Sequence, residues 1–385
     1  MKFNPPHIEN IKDVLPAIQE NPAFLVKEKG WYTVIDYMYM TDKMFHNDVE
    51  RECRGLKFCS TTGRILARPY HKFHNLNERP DYTTDKVDLT LPHVILDKLD
   101  GSMVHTCATN MGIYLMTRMG ITEVAEQADK FMTANQIRFS RLFGSMPIDE
   151  YCYIFEYVGP NNKIVLDYEK EDLILTAIRN IYNGAYLYHH EVEALGKAFD
   201  VKVVEKFPFD GFDGNMERIA NCMKAQSNNE GYVIRFASGA MVKIKSDEYV
   251  RKHRSKDLVS SQKGIVDLIV NGTLDDVMPQ LDPKVRDQVL DYEDKLSREI
   301  LRSAEAIALF AKGYADLEQK DYALKVQATI PKPLQCVAYH VRKGCDAREE
   351  TLNVVRRNLG TNKRTTELLT ALGFPLWTFS FFAEE

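Results

Sequence analysis

Lys98 follows the apolar run Val94-Ile95-Leu96 and opens the stretch Lys98-Leu99-Asp100-Gly101-Ser102, after which Met103 to Thr106 continues in an apolar-polar pattern. A strand, a tight turn at Asp100-Gly101 and a second strand account for that order. A lysine on such a rim is either a solvated surface charge or a nucleophile. Downstream, Val242-Lys243-Ile244-Lys245 sets two amines two positions apart, hence on one face of a strand. Cations so placed disfavour the charged form of a nearby amine and can neutralise charge on a group in transfer. Glu156 and Glu230 stand at or beside strands, in Phe155-Glu156-Tyr157-Val158-Gly159-Pro160 and Glu230-Gly231-Tyr232-Val233-Ile234.

The elements that must hold these residues read as follows. Trp31 to Met40, Gly55 to Phe58 and Ile65 to Tyr70 are rich in aromatic and β-branched types, with a turn at Thr61-Thr62-Gly63, and predict antiparallel sheet. Helical spacing takes over from Gly120 to Phe143. Strands are expected again over Tyr151 to Tyr157, Asp172 to Ile178 and Tyr186 to Tyr188, with helices over His189 to Asp200 and Met216 to Ser227. After about Arg254 strand patterns stop. Lys284 to Phe310, Asp346 to Asn358 and Thr361 to Leu372 carry helical spacing, the first opened by Asp282-Pro283. The fold class expected is α+β, with a sheet-rich domain over 1–254 and an all-helical domain over 255–385.

Composition bounds the partners. With 385 residues, 44% hydrophobic and 27% charged, the chain has the make-up of a globular protein of two or three domains. No run of apolar residues is long enough for a bilayer and no signal pattern opens the chain, so no membrane partner and a cytoplasmic location are expected. Seven cysteines without a Cys-x-x-Cys pair give no disulfide framework and no zinc knuckle. His189-His190-Glu191 is not a metal motif, since adjacent residues do not share a helix face. Net charge is −5, yet Arg251-Lys252-His253-Arg254 with Lys256 forms a basic cluster, either a solvated loop or a patch for phosphates.

Lysine, any residue, Asp, Gly at 98–101, followed in order by the segments around Glu156, Glu230 and Lys243-Ile244-Lys245, resembles the covalent nucleotidyltransferases, the superfamily of polynucleotide ligases and capping enzymes. Glu52-Cys53-Arg54-Gly55 and Arg68-Pro69-Tyr70-His71-Lys72-Phe73 are similar to its phosphate-contacting segments. The helical final third departs from DNA ligases and capping enzymes, whose second domain is a β-barrel, and points to RNA ligases. His71-Lys72-Phe73-His74-Asn75-Leu76-Asn77-Glu78, Asn162-Lys163-Ile164-Val165 and Lys243-Ile244-Lys245-Ser246-Asp247-Glu248-Tyr249 most resemble the bacteriophage RNA ligases that repair cleaved tRNA. Two departures stand out: Arg118 replaces a lysine and His74 a phenylalanine.

The resemblance implies an ATP-grasp-like ligase domain of the nucleotidyltransferase type, and a reaction in which the Lys98 amine attacks the α-phosphorus of ATP. AMP then passes to an RNA 5′-phosphate, and a 3′-hydroxyl displaces it. Lys98, Lys243, Lys245, Glu156 and Tyr249 are the implied catalytic residues. No Walker loop occurs, so Arg54, Lys72 and Arg118 are candidates to hold the triphosphate. Tyr37, Glu156 and Glu230 are implied around the nucleotide, and magnesium is implied at Glu156 with Asp275 of the Asp275-Asp276 pair. The expected partner is RNA with 5′-phosphate and 3′-hydroxyl ends, a nicked tRNA, bound by a monomer whose helical domain selects the RNA. The rivals are a DNA ligase or capping-type transferase, against which the helical domain argues, and a non-catalytic RNA-binding module, against which the three lysines argue.

Overall fold

Alternating strand patterns punctuated by glycine and asparagine turns occupy the first two thirds of the chain. In the computed structural model, which describes residues 3–38, 44–207, 215–374 and 377, they form three four-stranded sheets among the described residues. The first sheet holds β1 (Phe24–Lys29), β2 (Tyr32–Tyr37), β3 (Leu56–Cys59) and β4 (Ile65–Ala67) in that order, all antiparallel. The expected continuation of β2 through Tyr39 and Met40 lies outside the described residues.

The remaining strands are β5 (His74–Asn75), β6 (His93–Lys98), β7 (Ser102–Thr109), β8 (Gly112–Met116), β9 (Tyr151–Val158), β10 (Asp172–Asn180), β11 (Gly231–Phe236) and β12 (Met241–Lys245). The second sheet runs β10-β9-β7-β8 and the third β5-β12-β11-β6. One pairing departs from the antiparallel expectation: β5 lies parallel to β12, through His74 to Val242 and Asn75 to Lys243. The strand expected over Tyr186–Tyr188 is absent. Tyr186 makes a single bridge to Arg179, because the chain turns at Asn183-Gly184 and enters the helix His189–Phe199 at once.

Helices Glu123–Ala134 and Gln136–Phe143 cover the second sheet, burying Ala128, Phe139, Leu142 and Phe143 against Val104, Tyr153 and Phe155. Helix Met216–Lys224 covers one face of the third, packing Met216, Ile219 and Met223 on Tyr232, Ile234, Val242 and Ile244. Its other face is thereby left to Lys98, Gly231, Val233, Lys243 and Lys245, the alternate residues of the same strands.

Compact units divide between Val250 and Arg251, a few residues before the boundary read from sequence. Within the second unit the longest helix, Pro283–Gly313, is capped by Asp282, whose carboxylate accepts from the Lys284 N–H at 3.1 Å. It buries Val285, Val289, Tyr292, Leu296, Ile300 and Ile307 against residues of Gln262–Val270, Gln335–Arg342, Ala347–Asn358 and Asn362–Ala371. No helix among the described residues is long and apolar enough to cross a membrane, and all seven cysteines are unpaired.

A buried ion cluster anchors the first unit. Glu52, 1% exposed, receives Arg68 Nη2 at 2.8 Å and Arg179 Nη2 at 2.6 Å, while both arginines also donate to backbone carbonyls, among them those of Tyr182 and Pro69. Burial would push the Glu52 carboxyl up, but the charges and hydrogen bonds of Arg179 and Arg68 bring it down to about 2. Because the folded carboxyl titrates below its unfolded counterpart, this stability is present above the usual carboxylate range and is lost as pH falls toward 2. Glu52→Ala leaves two buried guanidinium groups unpaired and is expected to cost ~3–5 kcal/mol, read from denaturant unfolding at neutral pH. A loss under 1 kcal/mol would contradict this.

Candidate active site

Three residues on three adjacent strands form one row across the third sheet: Lys98 of β6, Gly231 of β11 and Lys245 of β12. The next row is Leu96, Val233 and Lys243. The two-residue period thus brings Lys98, Lys243 and Lys245 to one face, as the spacing of the last two required. Gly231 between the outer lysines has φ +145, and a Cβ there would meet the Ile244 carbonyl oxygen at 2.0 Å. Only glycine lets β11 and β12 close at this row.

Glu230 joins the amines. Lys98 Nζ donates to Glu230 Oε2 at 2.5 Å, and Lys245 Nζ lies 3.2 Å from Oε1. The Glu230 side chain is 5% exposed, so this pairing operates away from bulk water. The field of the clustered amines is written on Lys243. Burial, reinforced by the charges of Lys72 and Lys98, lowers the Lys243 amine to about 7. Glu156 answers in the opposite sense: burial raises its carboxyl to about 7, with Lys98 opposing and Glu230 adding to the rise.

Asp100 positions the turn and shows no sign of free reactivity. It is 1% exposed, its Oδ2 accepts from the N–H groups of Val165 and Leu166 at 2.7 Å each, and its Oδ1 accepts from the Tyr249 hydroxyl at 2.7 Å. In the sequence Asp100 has a place in the turn and in the Lys-x-Asp-Gly pattern, and the fold adds its bonds to Val165, Leu166 and Tyr249. Tyr249, expected to be catalytic, is 3% exposed and braces Asp100, with Lys245 Nζ 4.9 Å above its ring. Gly101 lets β9 approach the turn, since a Cβ would sit 2.4 Å from the Tyr157 carbonyl oxygen.

A cavity of about 310 Å³ opens over this face. Lys98, Glu156, Lys243, Lys245 and Arg54 line it, with Phe73, Tyr70, Met103, Val233 and Arg235 as further wall. A volume of that size is at the small end of ligand sites. Tyr37, Lys72 and Arg118 do not line it and form a neighbouring group. Arg118 Nε donates to Asp36 at 2.7 Å and its guanidinium lies 4.5 Å over the Tyr37 ring, while Lys72 Nζ stands 5.7 Å from the same ring. Of the two phosphate-contacting segments inferred from resemblance, only Arg54, Tyr70 and Phe73 reach the cavity; Glu52 and Arg68 are spent on the buried cluster.

Asp275 and Asp276 are exposed in the first turn of the short helix Leu274–Val277, in the second unit. The basic cluster 251–256 also belongs to that unit and lies on the helix Asp247–Ser260, not in a loop. Among the described residues, no group of three His, Cys, Asp or Glu side chains is arranged to hold a metal ion. Among the described residues, Glu156 and Asp97 are the carboxylates that line the cavity.

Residues 52–249 match the family described as RNA ligase. A "Putative RNA ligase" of Thermovibrio ammonificans is 27% identical over 341 residues, which cover 84% of this chain and 85% of that protein. The "RNA ligase 1" of bacteriophage TS2126 is 25% identical over 191 residues, about half of each chain. Among solved structures, an archaeal ATP-dependent RNA ligase aligns with a TM-score of 0.47 at 14% identity over 64% of each chain.

Proposed function

This chain belongs to the RNA ligase family, and we propose that it seals RNA with ATP through an adenylate carried on Lys98, with cleaved tRNA as its substrate. The observation that carries this reading is the Lys98 amine paired with Glu230 at 2.5 Å on the rim of a cavity that also holds Lys243, Lys245 and Arg54. Cations there draw the phosphates of ATP over the amine.

In the first step the Lys98 nitrogen bonds to the α-phosphorus and the bond to pyrophosphate breaks. The amine sheds a proton, for which the Glu230 carboxylate is the acceptor in reach. Lys243 and Arg54 neutralise charge on the transferring phosphate. In the second step an RNA 5′-phosphate oxygen attacks the same phosphorus, the phosphorus–nitrogen bond breaks, and the Lys98 nitrogen takes the proton back from Glu230 to leave as the free amine. In the third a 3′-hydroxyl attacks the 5′-phosphate and AMP departs, so the last bond forms without the lysine.

Magnesium fits a cavity lined by the carboxylates of Glu156 and Asp97, because it keeps several waters and takes one or two carboxylates beside phosphate oxygens. Glu156, half-buried and raised to about 7, is a carboxylate that a bound cation would hold ionised. The ion would supply further neutralisation of the phosphates.

The helical unit from Arg251 is the RNA-selecting part in this reading, since the residues assigned to the transfer steps precede it. Structured RNA is commonly recognised by shape. Full-length protein given ATP and magnesium is therefore expected to seal a tRNA nicked in its anticodon loop more efficiently than an unstructured strand of the same end sequence. Equal kcat/KM for the two would remove tRNA from the account and leave the ligase chemistry standing.

A further inference from the structure

Arg235, two residues along β11 from Val233, walls the nucleotide cavity on one side and a second cavity of about 270 Å³ on the other. The second is bounded by Phe236, Tyr188, His189 and His190. Two of its polar side chains are more than nine-tenths buried and incompletely bonded. Arg235, 4% exposed, donates from Nη1 to the Thr176 carbonyl at 3.4 Å and has no partner for Nη2. His189, 6% exposed, has no hydrogen-bond partner at either ring nitrogen; the Glu193 carboxylate lies 3.6 Å from Nε2. Buried donors are rarely left so in folded proteins, which points to a ligand that supplies acceptors.

The rest of the lining says which ligand. Tyr188 is 55% exposed and stacks on His190, with ring centroids 5.7 Å apart and planes at 14°. Flat exposed rings beside a small number of buried donors are the means by which unstacked nucleobases are held. A bare phosphate would make no use of the rings, and no metal-holding group of side chains occurs here among the described residues.

We propose, resting on the RNA ligase reading, that this cavity takes one unstacked base of the RNA strand within a few nucleotides of the joined end, its ring against Tyr188 and His190 and its acceptors toward Arg235 Nη2 and His189. Arg235, shared by both cavities, sets the distance between that base and the nucleotide on Lys98.

The test uses full-length protein and pre-adenylated RNA carrying a single abasic position, moved nucleotide by nucleotide across the junction, with KM and kcat for sealing measured separately and binding of the same strands read by fluorescence anisotropy. One abasic position is expected to raise KM and weaken binding about tenfold, the worth of one stacked base. The double variant Tyr188→Ala with His190→Ala raises KM on intact RNA by a similar factor and erases the abasic penalty, with kcat and self-adenylation unchanged. His189→Phe keeps a ring in place and removes the unbonded nitrogens; it raises KM without lowering the thermal midpoint. Sealing with no position-specific abasic penalty, or variants with unaltered KM, overturns the base site. Base-selective binding by a protein that cannot seal would support the cavity and overturn the ligase reading, so the two failures are distinct.

Discussion

Lys98→Ala abolishes transfer of AMP from ATP to the protein, and the variant still seals RNA that already carries a 5′-adenylate. The two halves follow from one geometry. The amine is needed where a bond to phosphorus is made, and the other amine on its row, that of Lys245, is engaged by Glu230 Oε1 at 3.2 Å and occupies a different strand. Sealing of adenylated RNA uses the remaining cations of the cavity, Arg54, Lys243 and Lys245, which the substitution leaves intact. Removing Lys98 also frees Glu230 to pair with Lys245 alone, so sealing is expected to slow without being lost. Single-turnover assays with ATP and with adenylated RNA separate the two. An adenylate on Lys98→Ala protein would refute the assignment.

The second large effect is at Lys243. Its amine titrates near 7 because it is buried among Lys72, Lys98 and Arg54, and the arrival of a triphosphate restores its charge. At pH 8, above that value and below the ordinary lysine range, ATP binding should therefore take up a proton, visible by calorimetry in buffers of differing ionisation heat. Lys243→Arg keeps its charge throughout and abolishes the uptake. Lys243→Ala removes a charge aimed at the transferring phosphate and should slow adenylation by about 10²–10³-fold, the usual loss when one such group is deleted. Adenylation at the wild-type rate in Lys243→Ala would contradict the cationic site.

What could be read in advance was what depends on local period. Lys243 and Lys245 alternate with Val242 and Ile244, and that alone placed them on one face. The long helix of the second unit was legible from its apolar spacing and its Asp282-Pro283 start. What could not be read depends on partners distant in the chain. Glu52 looked like part of a phosphate-contacting segment, yet its partner Arg179 lies 127 residues away. Asp100 reads locally as a turn former within the Lys-x-Asp-Gly pattern, while Tyr249, which bonds it, lies 149 residues on. Arg118 is a triphosphate candidate by its charge, and its pairing with Asp36, 82 residues earlier in the chain, forms only in the fold. Strand β5, two residues long and parallel to β12, is too short to leave a pattern.

The most direct test of the central claim is to incubate the full-length protein with magnesium and ATP labelled at either the α- or the γ-phosphate, denature it in detergent, and map the labelled peptide. The account predicts covalent label from the α-phosphate alone, on the peptide that contains Lys98, released when RNA bearing a 5′-phosphate is added before denaturation. No covalent label, or label held by any other residue, would contradict it.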